Sequence, residues 1–183
     1  VSNIGWLSDI DEHLLTAPPA DVTAANAKRL KALGVSKADM KPLLENAWFS
    51  PSLQTRFVND LTHLQGMRGL GNETRLAAHV QSEEQARFLC GSLELLNRYN
   101  ADTSALHDLS AHGDIPCATN QEGALVAAAP VDVMSWTKVA ADFATPPPAG
   151  QPPAVFCTNG LLTQSAADGF KAQGWQVLEY PRK

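Results

Sequence analysis

The stretch Ser82–Tyr99, SEEQARFLCGSLELLNRY, decides how the chain is organised. Ser82 followed by Gln85 spells a capping box: the serine oxygen takes an orphan amide of the first turn, and the glutamine reaches back. Behind it Ala86, Leu89, Cys90, Leu93 and Leu96 recur at helical spacing, while Phe88, Leu95 and Tyr99 widen the apolar face. A helix apolar over so much of its girth is normally buried on several sides, and Gly91 lets a neighbouring backbone come close. The spacing therefore predicts a central helix on which the segments before and after it both pack.

Upstream, the pattern is helical throughout. Ile4, Leu7, Ile10 and Leu14 mark a helix in Ser2–Leu15 that must end before Ala17-Pro18-Pro19. Asp21 or Thr23 caps a second, closed by Gly34 as a left-handed stop. Ser36 with Asp39 opens a short third, and Ser50-Pro51 a fourth that carries Leu53, Phe57, Val58, Leu61 and Leu64. A glycine-rich loop at 66–71 leads to a short helix at 73–80. After the central helix, Thr103 or Ser104 caps a last turn or two to about Ala111, so residues 1–112 read as all-helical.

Downstream of Gly113 the texture changes. Ile115–Thr119 and Ala124–Ala129 are strand-like runs around the turn Asn120-Gln121-Glu122-Gly123. A helix capped by Ser135 and running to Phe143, the proline-rich connector Thr145–Pro153, a strand Ala154–Thr158, a helix Thr163–Gln173 and a strand Trp175–Tyr180 follow. The order β-β-α-β-α-β places the last three strands parallel and the first antiparallel, because crossovers are right-handed. The fold class is α+β: a helical subdomain of about six helices over 1–112, packed on a small mixed sheet over 113–183, with one shared core.

Composition bounds function. With 183 residues, 44% of them hydrophobic, the chain suits one domain or two small subdomains. Acidic residues outnumber basic ones 14 to 10 before residue 115 and 5 to 4 from there on, which accounts for the net charge of −5. No basic run interleaves with aromatics, so nucleic acid is not an expected partner. No apolar run approaches the roughly 18–20 residues that span a bilayer. The opening at Val1 without Met is compatible with a removed leader, and a periplasmic or secreted location is slightly favoured over a cytoplasmic one.

Three groups of residues bear on chemistry. Ligands of open sheets sit beyond the carboxyl ends of parallel strands, where helix N-termini point their amides. Here those positions hold Asp132 and Ser135 on one loop and Thr158, Asn159, Gly160, Thr163 and Ser165 on the other, a setting for a small anion or polar ligand. His107, Asp108, His112 and Asp114 form a second group with the side chains of a metal site, though His107 and His112, five apart, would lie on different helical faces. Cys157 ends a strand before a loop and a helix, an environment that lowers a thiol pKa. The run CTNGLLT resembles in outline the cysteine loop of phosphatases and rhodaneses. Phosphatase loops carry Arg after five intervening residues, however, and Thr163 stands there. Without that guanidinium the resemblance implies no activity, and Cys157 reads as a buried structural residue.

Cys90, Cys117 and Cys157 fit neither a disulfide framework nor a metal pair. A bridge between Cys117 and Cys157, both on expected strands, would require an oxidising compartment. Trp48-Phe49, just ahead of Ser50-Pro51, reads as a hydrophobic staple in preference to a partner anchor. The leading functional expectation is a non-enzymatic binding or protein-interaction protein, a reading compatible with export. The alternative is a small-molecule or enzymatic site near Asp132 and Asn159.

Overall fold

Seven helices and seven strands make up residues 17–181, the part of the chain that the computed structural model describes. The helix expected over Ser2–Leu15 lies outside those residues, as does His13. The helices are α1 (Pro19–Ala32), α2 (Lys37–Leu44), α3 (Pro51–His63), α4 (Leu70–Ala78), α5 (Glu83–Asp102), α6 (Lys138–Phe143) and α7 (Gln164–Ala172). The strands are β1 (Leu106–His112), β2 (Ile115–Asn120), β3 (Leu125–Ala128), β4 (Val133–Met134), β5 (Ala154–Thr158), β6 (Leu161–Leu162) and β7 (Trp175–Glu179). The fold class is α+β, as the sequence predicts.

The chain divides into two compact units, one up to Cys90 and one from Gly91 onward, with the division inside α5. In the first unit, local start signals behave as read. Ser36 Oγ accepts from the Asp39 amide (3.1 Å) at the head of α2, and Ser50 Oγ from the Leu53 amide (3.3 Å) at the head of α3. Ser82 Oγ accepts from the Gln85 amide (3.2 Å), whereas Gln85 Oε1 reaches one residue further back than a capping box, to the Gln81 amide (2.7 Å). Helix α1 departs from expectation. It starts at Pro19 without a side-chain cap, because proline at the first helical position lacks only an amide that would be orphaned anyway. Gly34 (φ +79°) ends it, with the Gly34 and Val35 amides donating to Lys31 O and Leu30 O. Phe49 is buried edge-on against Phe57, ring centroids 5.6 Å apart, so it packs on the helix that follows it, although the staple position four residues in is Gln54.

In the second unit the main sheet runs in the order β1-β2-β3-β5-β7. β1, β2 and β3 pair antiparallel, and β3, β5 and β7 pair parallel, as the crossover rule predicts. β4 and β6 form a separate two-stranded parallel sheet, Val133 opposite Leu161 and Met134 opposite Leu162. Phe156 of β5 is buried between the two crossover helices. It stacks on Phe170 of α7 (4.7 Å) and meets Phe143 of α6 edge-on (6.2 Å), which puts both helices on one face. Trp175 and Trp136 complete the ring cluster against Phe143 and Phe170. Val155 and Cys157, on the opposite face, are buried too. Gly91 admits a close neighbour, but it is a side chain and not a backbone: a Cβ there would lie 2.8 Å from Pro130 Cγ.

Two expectations are corrected here. Residues 104–111 are not a helical turn, since β1 occupies Leu106–His112. The pairing with β2 jumps from Leu106↔Asn120 to Asp108↔Thr119, so His107 is the extra residue of a β-bulge. The bulge lets Leu106 and Leu109 face inward at a spacing of three, and that spacing imitates a helix. The second correction concerns the helix after β4, which is capped by Thr137 Oγ1 on the Ala140 amide (3.2 Å) and not by Ser135.

Candidate functional site

The parallel strands β5 and β7 end together, Thr158 opposite Glu179. The backbone then turns away at Asn159-Gly160 on one side and enters the Tyr180-Pro181 tail on the other. The Thr158 side chain is buried and its Oγ1 accepts from the Gly160 amide (3.3 Å), while its carbonyl accepts from the Tyr180 amide (2.7 Å). The loop after β3 is drawn against this turn: the Leu161 amide donates to Asp132 O (3.0 Å) and the Thr163 amide to Met134 O (2.9 Å). Only glycine fits at 160, since a Cβ there would lie 1.7 Å from Val131 O and 2.6 Å from Asp132 O.

These segments enclose an open cleft of about 440 Å³ lined by Asp132, Asn159, Gly160, Leu161, Glu179 and Pro181. Its lining contains two acidic residues and no basic one. Asn159 Oδ1 is itself buried and without a hydrogen-bond partner. Leu161 and Pro181 supply apolar surface.

Of the residues singled out from sequence, Asp132, Asn159 and Gly160 are brought together in the cleft. Ser135, Thr158, Thr163 and Ser165 are not among its lining. Thr163 Oγ1 is committed to capping α7 through the Ala166 amide (3.3 Å) and lies 3.0 Å from Ser165 Oγ. Thr163 thus serves as the helix cap. Leu161, Glu179 and Pro181 were missed. Glu179 could have been found as the acidic residue closing the last strand, at the same carboxyl edge as Asn159.

His107, Asp108, His112 and Asp114 fall along β1 and its hairpin turn. The His112 ring packs edge-on against Phe143 (5.2 Å). Among the described residues no group of three His, Cys, Asp or Glu is placed to hold a metal ion. The cysteines are all buried and not bridged. β3 lies between β2 and β5, which separates Cys117 and Cys157 by about twice the ~4.8 Å strand spacing, beyond the ~7 Å a disulfide allows. Burial pushes the Cys157 thiol up to about 12, the opposite of an activated nucleophile.

Fold and site together define an α+β protein with an acidic cleft at the carboxyl ends of its parallel strands. No known family, characterised protein or solved structure matches the chain. Among the described residues, no helix is long and apolar enough to cross a membrane.

Proposed function

We propose that the protein binds a small molecule rich in hydrogen-bond donors, such as an amine, in the cleft between Asp132 and Glu179. The observation that carries this reading is the character of the lining. Two carboxylates there accept hydrogen bonds, and no basic side chain lines the cleft among the described residues. An anion would face the Asp132 and Glu179 carboxyl groups there, and Thr163 Oγ1 already takes the Ala166 amide of α7. A cation would gain charge-assisted hydrogen bonds, with Leu161 and Pro181 covering its apolar body. The interaction-protein reading has in its favour the exposed Trp48, 51% accessible, but Phe49 beside it is buried, so the two do not form a patch.

Thermal denaturation with 1,4-diaminobutane and, separately, inorganic phosphate tests the proposal. Diaminobutane raises the melting temperature by mass action and phosphate does not. Asp132→Asn combined with Glu179→Gln abolishes the diaminobutane effect while the variant still unfolds cooperatively. A rise with phosphate alone, or an unchanged rise in the double variant, contradicts the proposal.

A further inference from the structure

One wall of the cleft is held from behind. Glu179 and Pro181 both line it, but Pro181 lies past the end of β7 and has no amide to donate to a neighbouring strand. Its carbonyl is taken by a side chain: Arg98 Nη1, from α5, donates to Pro181 O at 3.2 Å. The same guanidinium lies over the Tyr180 ring, 4.7 Å from its centroid. The Tyr180 hydroxyl is 2.9 Å from Thr103 Oγ1, and the Tyr180 amide extends the β5–β7 ladder by one bond to Thr158 O (2.7 Å). A planar guanidinium can cover the ring and still reach a carbonyl from its edge; an ammonium is a single point and cannot do both. Neither Arg98, Thr103 nor Tyr180 is part of the lining.

We infer that Arg98 is a positioning residue for the cleft. By clamping the Tyr180-Pro181 tail it fixes the wall that carries Glu179 and Pro181, and so sets how tightly a ligand is held. The inference rests on the ligand-binding reading above and adds to it a residue outside the lining. It has a consequence that needs no ligand: without the guanidinium, the tail leaves its place although the sheet stays intact.

The test uses the full chain labelled with 3-fluorotyrosine. Tyr99 and Tyr180 are its two tyrosines, so the ¹⁹F spectrum holds two resonances. Arg98→Ala moves the Tyr180 resonance toward the free amino acid and leaves that of Tyr99 in place. In the same variant the affinity for 1,4-diaminobutane falls about tenfold, the size expected on losing one hydrogen bond and one ring contact. Arg98→Lys recovers part of both effects. A Tyr180 resonance unmoved by Arg98→Ala overturns the inference, as does one that moves while diaminobutane affinity stays constant. If the wild-type chain binds no diaminobutane, the ligand reading fails and takes the inference about affinity with it. That failure is recognised because the Tyr180 resonance still moves.

Discussion

The helical unit and the sheet unit solve the same packing problem with different materials. The helical unit buries Asn26, Gln54, Thr55, Glu73 and Thr74 among its aliphatic side chains. Several of these join elements: Asn26 Nδ2 donates to Thr55 Oγ1 (3.0 Å), linking α1 to α3, and Gln54 Nε2 donates to Phe49 O (3.0 Å). The sheet unit closes over touching aromatic rings, with Phe156 at the centre. Polar clamps are directional and hold loops in place, but each is costly if half-satisfied. Ring packing is tolerant in direction and large in buried area. The difference teaches where each unit is vulnerable: the first to charge and pH, the second to loss of volume.

The sharpest way to break that contrast is Glu73. Burial raises its carboxyl to about 8 from 4.5, and its Oε1 has no hydrogen-bond partner. The folded value lies above the unfolded one, so between them the folded chain holds a proton that the unfolded chain has lost. The stability that this proton contributes is therefore full below pH 4.5 and declines as pH rises to about 8, where the loss is complete. At about 1.4 kcal/mol per unit of pKa difference the total is about 5 kcal/mol. Urea denaturation of the helical signal across that range shows the decline, and Glu73→Gln flattens it. A flat profile in the wild type would remove charge as this unit's weakness.

On the sheet side, Phe156→Ala opens a cavity between α6 and α7 and costs about 3–5 kcal/mol by equilibrium unfolding, with little dependence on pH. A loss under 1 kcal/mol would mean that the rings do not carry the unit. A smaller effect sharpens the description of the polar clamps. Asn46 Nδ2 donates to Ala78 O (3.2 Å) and Val80 O (3.0 Å) behind α4, and its Oδ1 accepts from the Trp48 amide (2.9 Å). Asn46→Ala removes all three bonds and destabilises by about 2 kcal/mol, with faster amide exchange at Trp48. Unchanged exchange there would show that the side chain does not hold the loop.

How much of this was legible follows from the range of each interaction. Ser36, Ser50 and Ser82 act within three residues, so the starts of α2, α3 and α5 could be read directly. The parallel arrangement of β3, β5 and β7 followed from element order and crossover handedness. That order also pointed to Asp132, Asn159 and Gly160, because strand carboxyl ends are where loops converge. Strand β1 was misread since a bulge at His107 is a property of pairing with β2, invisible in one strand. Thr163 caps α7 and is not part of the cleft lining. Glu179 and Pro181 reach the cleft through the register of β7 on β5 and contacts of the Tyr180-Pro181 tail with Thr158, Thr103 and Arg98, all long-range.

The account stands or falls on what occupies the cleft. Amide NMR of the wild-type chain titrated with 1,4-diaminobutane predicts saturable shifts centred on Gly160, Leu161 and Glu179, with the α7 start at Gln164 and Ser165 unmoved. Shifts confined to Gln164–Ala166 on adding phosphate, with no response to the diamine at Gly160, would contradict it.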